Sequence, residues 1–229
     1  MKKLVIIPAY NEAGNIVKTV TDVVENAPGF DYVIINDCSK DNTLEICREH
    51  GFRVIDLPCN MGIGGGVQTG YLYAKRHGYD IAVQFDGDGQ HNASYLEHMA
   101  EKLEREHLDM LIGSRYIAKK GFQSSGARRA GIKYFTGLIK LVTGKKITDP
   151  TSGMRMVSRD IICQFAEDYP KDYPEPESVV TILKQKKHVE EIAVEMNARE
   201  EGTSSISMYN AVYYMIKVSL AILIAAIRK

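Results

Sequence analysis

Residues 80–91 read DIAVQFDGDGQH, an apolar run that stops at two aspartates placed two apart, Asp86 and Asp88. The run has the length and composition of a strand, and the Asp-Gly steps that close it are turn formers. A solvated turn is one reading of the pair. The other is a site, because like charges this close raise each other's pKa unless something positive lies between them.

Working outward, the first half of the chain repeats one pattern. KLVIIPAY (3–10), YVIIND (32–37) and FRVIDLP (52–58) are apolar strand runs. Between them lie stretches with helical spacing: GNIVKTVTDVVENA (14–27), NTLEICREHG (42–51) and GGGVQTGYLYAKRHG (64–78). Strands alternating with helices predict an α/β fold with a mostly parallel central sheet flanked by helices. The strands lack strict polar alternation, as expected where both faces of a sheet are covered. Ligands of such sheets bind beyond the carboxyl ends of the strands. PAYNE, NDCSKD and DGDGQH all stand there, so the three are expected to face one crevice.

The chain has 229 residues, 45% hydrophobic and 25% charged, enough to bury a sizeable core. Its four cysteines form no Cys-x-x-Cys pair, which argues against a zinc or dithiol site and fits a reducing compartment. The apolar run after MKK is short and meets a proline, so it reads as a first strand rather than a signal peptide. The formal net charge of zero hides an asymmetry: Ser114 to Asp160 holds eleven Lys and Arg against two Asp. Such a segment suits nucleic acid, an anionic membrane or a phosphorylated substrate. The aromatic and basic interleaving of an RNA-binding sheet is missing, so nucleic acid is set aside.

Two acids on alternate positions can share one divalent cation that also binds a diphosphate. Mg²⁺ takes oxygen ligands and commonly keeps one or two protein carboxylates beside phosphate oxygens. Gln90 offers a third oxygen, whereas His91 is expected to be a packed or hydrogen-bonding neighbour. The glycine-rich NMGIGGGVQTG (60–70) fails as a phosphate loop. Val67 replaces the third glycine of G-x-G-x-x-G, and Tyr71 and Leu72 replace the Lys and Ser/Thr of the Walker spacing. A tight turn and close helix packing are expected there instead.

Taken together, IIPAYNE, NDCSKDNT, N-x-G-x-G-x-G, DGDGQH, GSRY and DPTSGMR resemble, in their order, the motifs of family 2 glycosyltransferases of the GT-A fold. The likeness runs over roughly residues 4 to 205. Within the family the chain looks most like the polyprenyl-phosphate sugar synthases, particularly the short bacterial members that make undecaprenyl-phosphate sugars for cell-wall polysaccharides. The resemblance implies a metal-dependent inverting transfer from a nucleoside-diphosphate sugar, UDP-GlcNAc or UDP-glucose, to undecaprenyl phosphate, with Mg²⁺ or Mn²⁺ as cofactor. It implies that Pro8, Tyr10 and Glu12 line the base and ribose pocket and that Asp37 holds the base. Asp86, Gly87 and Asp88 would meet the diphosphate, and Asp86, Asp88 and Gln90 the metal. Arg115 would approach the phosphates, and Asp149 is the acid of the D-x-T-S-G motif. Arg199 and Ser205 would belong to a loop closing over the diphosphate. Two departures stand out: Asn36 replaces a second Asp, which leaves the base open, and PEPES is an unusual acceptor-side acidic segment containing Glu177.

A phosphate acceptor needs cations more than a base, since its second pKa is about 6. Arg128 and Arg129, in the basic segment, are the candidates. After them, Ile132, Phe135, Ile139 and Val142 recur at helical spacing with Lys133 and Lys140 between, which fits either a membrane-interface helix or a core helix with two solvated lysines. Residues 208–227 are twenty with one charge, Lys217, near the middle. That length can span a bilayer, but a central lysine costs roughly 3 kcal/mol to insert. An in-plane anchor, or burial against a small membrane protein or a second copy, is therefore expected. The predicted organisation is a GT-A catalytic domain over 1–205 and a membrane-associated or oligomerisation helix over 206–229, working at the cytoplasmic face of the cell membrane. Two other functions compete. A chain-extending polysaccharide synthase with a sugar hydroxyl acceptor would carry a Q-x-x-R-W motif, and the chain has no Trp. A non-catalytic binding subunit would have no need of the Asp86/Asp88 pair.

Overall fold

Within the first strand, β1 (Lys3–Ala9), Leu4 and Ile6 enter one apolar core while Val5 and Ile7 enter another. Every second side chain points the opposite way along a strand, so an unbroken apolar run marks a sheet covered on both faces. The computed structural model describes residues 1–118, 120, 126–197 and 208–227. The chain continues through α1 (Ile16–Asn26), β2 (Asp31–Asn36), α2 (Thr43–Glu49), β3 (Val54–Asp56), α3 (Gly62–His77), β4 (Ile81–Gln84), α4 (Leu96–Arg105) and β5 (Met110–Ser114). There follow α5 (Gly126–Thr143), β6 (Arg155–Ser158), α6 (Arg159–Glu167), α7 (Pro174–Lys184), β7 (Val189–Ala193) and α8 (Met208–Ile227).

The seven strands lie in the order β3-β2-β1-β4-β6-β5-β7. All neighbours are parallel except β6, which runs antiparallel to both β4 and β5. Helices α1, α2 and α4 cover one face, and α3 and α5 to α8 the other. The expected mostly parallel α/β sheet is thus present, and β6 is an addition. Its reversal brings the start of β6, and the DPTSG turn before it, to the same sheet edge as the carboxyl ends of β1, β2, β4 and β5. That edge is where the motifs gather.

The glycine-rich segment does what its failure as a phosphate loop implied. A Cβ at Gly64 would overlap the carbonyl oxygens of Pro170 and Lys171, and one at Gly70 would overlap Ile6. The glycines let α3 press against β1 on one side and the 169–173 loop on the other. YPKDYPEPE is a loop and helix entry, with Pro174 opening α7 where its missing N–H costs nothing.

Helix α5 settles its two readings in favour of the core: Ile132, Phe135 and Ile139 are buried, whereas Lys133 and Lys140 are exposed. The apolar stripe is therefore not available to a membrane. Helix α8 is divided. Val218, Ile222 and Ala225 pack into the core, while Val212, Tyr213, Ile216, Leu220, Leu223, Ile224 and Ile227 are exposed. Lys217 is paired with Asp172 at 2.7 Å and lies over the Tyr173 and Tyr213 rings. Among the described residues no helix is long and apolar enough to cross a membrane.

Candidate active site

At the end of β1, Pro8 is buried, and its carbonyl accepts a hydrogen bond from Gly87 N at 3.3 Å. That bond ties the first motif to the aspartate loop. Glu12 is nearly buried; its carboxylate accepts from Asn15 Nδ2 at 2.8 Å, and its amide donates to Thr43 Oγ1. Tyr10, between them, is exposed at the rim. At the end of β2, Asp37 is buried, with Oδ1 accepting from Met61 N at 2.6 Å and its carbonyl accepting from Asn60 Nδ2. Asn36 beside it donates to Asp56 at 2.7 Å. The residues expected to bind the base therefore lie together, across the ends of β1 and β2 and the start of α3, along one stretch of the sheet edge.

The aspartate loop is held from three directions. Asp86 N donates to His91 Nδ1 at 3.0 Å, which makes Nδ1 an acceptor and leaves the ring proton on Nε2. His91 is buried edge-on to Phe85, a packing neighbour as expected. Gln84 Nε2 donates to Asp86 Oδ1 at 3.0 Å, and Gln90 N to Asp88 Oδ1 at 3.1 Å. The segment after β7 adds Asn197 N to Gln90 O at 2.8 Å. Behind Asp86 lies Gly153, where a Cβ would fall 2.8 Å from Oδ1 and closer still to Oδ2. The carboxylate rests directly on the TSG backbone, in a cradle that any side chain at 153 would fill.

Among the described residues no three His, Cys, Asp or Glu side chains form a metal cluster of their own. Two carboxylates two positions apart in one loop, Asp86 and Asp88, are a donor set that fits an ion such as Mg²⁺ or Mn²⁺ drawing its remaining ligands from a diphosphate and water.

Arg115 and Asp149, read separately in the sequence, form one unit. Arg115 Nε and Nη2 donate to the two Asp149 oxygens at 2.7 and 2.8 Å, a bidentate fork. Asp149 is 0% exposed and Arg115 11%. Burial alone would lower the Arg115 pKa, but the Asp149 hydrogen bonds and charge, with that of Asp86 nearby, raise it. The guanidinium is therefore a permanent cation beside the aspartate loop. Thr151 Oγ1 also donates to Asp149, so both oxygens are occupied and the carboxylate is an anchor for Arg115.

Around this pair stand residues that no motif reading singled out. Buried Arg155 ties the turn together: Nε donates to Ser152 O and Nη2 to Pro150 O, both at 2.7 Å, and Nη1 to Ser178 Oγ and the Glu175 carbonyl. Glu175, opening α7, reaches Gln84; burial pushes its carboxyl above the usual range, Arg155 pulls it down and Asp86 pushes it up. Glu191 on β7 accepts from Thr148 N at 2.7 Å, Thr148 Oγ1 at 2.9 Å and Asp149 N at 2.9 Å. Burial raises its pKa too, and those bonds hold the rise in check. The motif DPTSGMR contained Gly153 and Arg155 in plain view; Glu191 carried no sequence signal.

Arg128 and Arg129 are exposed on the first turn of α5. Tyr116, whose ring lies against Arg115 at 5.5 Å, feels both of their charges, so they flank the Arg115 side of the site. Arg199 and Ser205 lie outside the described residues. Glu177, at the first turn of α7, is half-buried.

Comparison with known proteins follows the same lines. The family model described as Glycosyl transferase family 2 matches residues 4–165. An uncharacterized protein of Methanocaldococcus jannaschii is 31% identical over 184 residues, covering 80% of this chain and 75% of the relative. The UDP-N-acetylglucosamine–dolichyl-phosphate N-acetylglucosaminyltransferase of Methanococcus voltae is 31% identical over 183 residues, 71% of each chain. The undecaprenyl-phosphate mannosyltransferase of Micrococcus luteus is 27% identical over 168 residues, 71% of this chain and 68% of the relative. Among solved structures, glucosyl-3-phosphoglycerate synthase from Mycobacterium tuberculosis with Mn²⁺, UDP and glucosyl-3-phosphoglycerate superposes with a TM-score of 0.75. It is 16% identical and the match covers 98% of this chain and 79% of that one. At that identity the likeness is one of fold, the GT-A fold that the sequence motifs implied.

Proposed function

The chain belongs to glycosyl transferase family 2, and from that premise we propose that it moves a sugar from a nucleoside-diphosphate sugar to undecaprenyl phosphate, with inversion. The observation that carries the acceptor is the pair of exposed arginines on the first turn of α5, Arg128 and Arg129, whose charges reach Tyr116, the residue after Arg115. The relatives named for dolichyl and undecaprenyl phosphate support the same reading.

In this mechanism an oxygen of the acceptor phosphate attacks the anomeric carbon as the bond to the nucleoside diphosphate breaks. The products are a glycosyl phosphodiester and the free nucleoside diphosphate. Asp86 and Asp88, with the Gln90 amide, would hold Mg²⁺ or Mn²⁺, which when bound offsets charge on the leaving diphosphate. Arg115 supplies a fixed positive charge beside the aspartate loop, held in place before the reaction begins. Gly87 lets the loop backbone approach the diphosphate, and Pro8, Tyr10, Glu12 and Asp37 bind the base and ribose. A phosphate monoester is mostly ionised at neutral pH, so the nucleophile arrives without a proton to lose. The occupied oxygens of Asp149 are consistent with that requirement. For the donor we favour UDP-GlcNAc or UDP-glucose, and for the place of action the cytoplasmic face of the membrane, with the product serving cell-wall polysaccharide modification.

The exposed face of α8 supports the membrane assignment. The core holds the helix by Val218, Ile222 and Ala225, so removing the helix would also expose the core. Charges placed only on the outer face avoid that. Leu220→Glu with Ile224→Glu is expected to abolish vesicle binding and reduce transfer to undecaprenyl phosphate in vesicles by roughly tenfold or more, because surface confinement concentrates the enzyme on its acceptor. Transfer to a short soluble polyprenyl phosphate should stay within about twofold by the same argument. Equal losses on both acceptors would contradict the assignment.

Arg128→Ala and Arg129→Ala are each expected to raise the Michaelis constant for the lipid phosphate by roughly tenfold, the worth of one charge-assisted hydrogen bond. The constant for the sugar nucleotide should hold. The whole proposal is tested by pairing UDP-GlcNAc, UDP-glucose and GDP-mannose with undecaprenyl phosphate and following lipid-linked sugar. A lipid-linked product from a UDP-sugar is expected; none from any donor would overturn the proposal.

A further inference from the structure

We propose that Glu191 is a positioning residue that aims Arg115 at the diphosphate. The inference rests on the reading above, in which Arg115 faces that group. Glu191 stands on β7, paired in parallel register with Ile112 of β5, two residues before Ser114. It lies beyond residues 4–165, where the family model matches. Its carboxylate takes three donors from two consecutive residues: Thr148 N, Thr148 Oγ1 and Asp149 N.

Two short routes lead from there to Arg115. Through the first, the fixed Asp149 backbone presents the carboxylate that holds Arg115 Nε and Nη2 in its fork. Through the second, Thr148 Oγ1 meets Ser114 Oγ at 2.7 Å, and that oxygen accepts Tyr116 N at 3.2 Å. The residues before and after Arg115 in the chain are thus tied to the same acid as its ion-pair partner. Next to Glu191, Glu190 pairs with Lys145 at 2.8 Å, so β7 grips the α5–β6 connection at two points. The neighbouring pair is exposed and grips only the far end of that connection. Of these two acids, it is Glu191 that reaches the turn carrying Asp149.

Outer residues that orient a contacting group typically change affinity or activity by about 10- to 100-fold when altered. A residue that merely strengthens the fold would change stability instead, whatever stands at 115. A double-mutant cycle separates the two, because groups acting through one another are non-additive. Binding of UDP in the presence of Mn²⁺ is measured by calorimetry, with GDP in parallel, for the wild type, Arg115→Ala, Glu191→Gln and the double variant. Glu191→Gln is close to isosteric but replaces one acceptor oxygen by an N–H donor, so one of the two backbone amides it serves, Thr148 N or Asp149 N, loses its acceptor. Thermal unfolding is recorded for each protein.

Glu191→Gln is expected to weaken UDP binding by roughly tenfold in the wild-type background and by less than about twofold when Arg115 is already alanine. Glu191→Asp, which keeps the charge, should recover part of the loss. An equal loss in both backgrounds, or no loss in either, would overturn the proposal and leave Arg115 in place. If Arg115→Ala itself binds UDP as the wild type does, the assignment of Arg115 to the diphosphate fails first, and the role of Glu191 falls with it.

Discussion

Asp88→Ala is expected to lower transfer by roughly a thousandfold, the scale for removing a group that stabilises developing charge. Asp88 lies in the loop between β4 and α4, outside both cores, and its carboxylate accepts from Gln90 N. Losing that hydrogen bond should cost only about 1 kcal/mol of stability. The melting temperature should therefore move little while activity vanishes. EDTA should silence the wild type in the same way, with Mg²⁺ or Mn²⁺ restoring it. An Asp88→Ala protein that still transfers sugar at the wild-type rate, or full wild-type activity in chelator, would remove the metal from the account.

The second large effect is expected at a residue with no chemistry of its own. Gly153→Ala puts a methyl group where the Asp86 carboxylate lies, 2.8 Å from Oδ1 and nearer to Oδ2. Asp86 cannot move without straining its bond from Gln84, and Gly153 is joined through Ser152 and Met154 to the turn that Arg155 holds. One of them must shift. A displacement of about 1 Å at a positioned group can cost roughly a hundredfold in rate, and overpacking typically costs about 1–3 kcal/mol of stability. Gly153→Ala should weaken Mn²⁺-dependent UDP binding along with turnover. Unchanged Mn²⁺–UDP affinity would show that Asp86 had kept its place and that the cradle is not needed.

These two positions mark where sequence reading reached and where it stopped. The Asp86/Asp88 pair was legible because a strand run, a turn and two acids stand together in twelve residues. The parallel half of the sheet was legible for a similar reason: each βαβ unit is local, and apolar runs on a doubly covered sheet need no alternation. The reversed strand β6 was not, because RMVS carries composition but no direction. Helix α5 shows a second limit. Ile132, Phe135 and Ile139 have the same spacing whether they meet a core or a lipid surface, and only the packing against α7 and α8 decides.

The site was read as single residues and is built of pairs. Arg115 and Asp149 were each assigned a role, but nothing 34 residues apart in the chain announces a bidentate fork. Gly153 touches Asp86 only because β6 returns alongside β4. Glu191 reaches Thr148 across the end of a strand whose own sequence, VEEIA, looks like any half-polar edge. Lys217 is a lone charge in an apolar helix by sequence, and its partner Asp172 comes from a loop far away in the chain. In each case the missing information was a tertiary contact, and the residue types alone were compatible with several partners.

The claim on which the account turns is that the nucleophile is a phosphate oxygen. Phosphorus NMR of a reaction containing the protein, Mn²⁺, a UDP-sugar and undecaprenyl phosphate observes that atom directly. The account predicts that the lipid phosphomonoester signal gives way to a phosphodiester signal, one for each UDP released. A UDP-sugar consumed while the lipid monoester stays intact would mean that the sugar had gone to a hydroxyl or to water, and would contradict it.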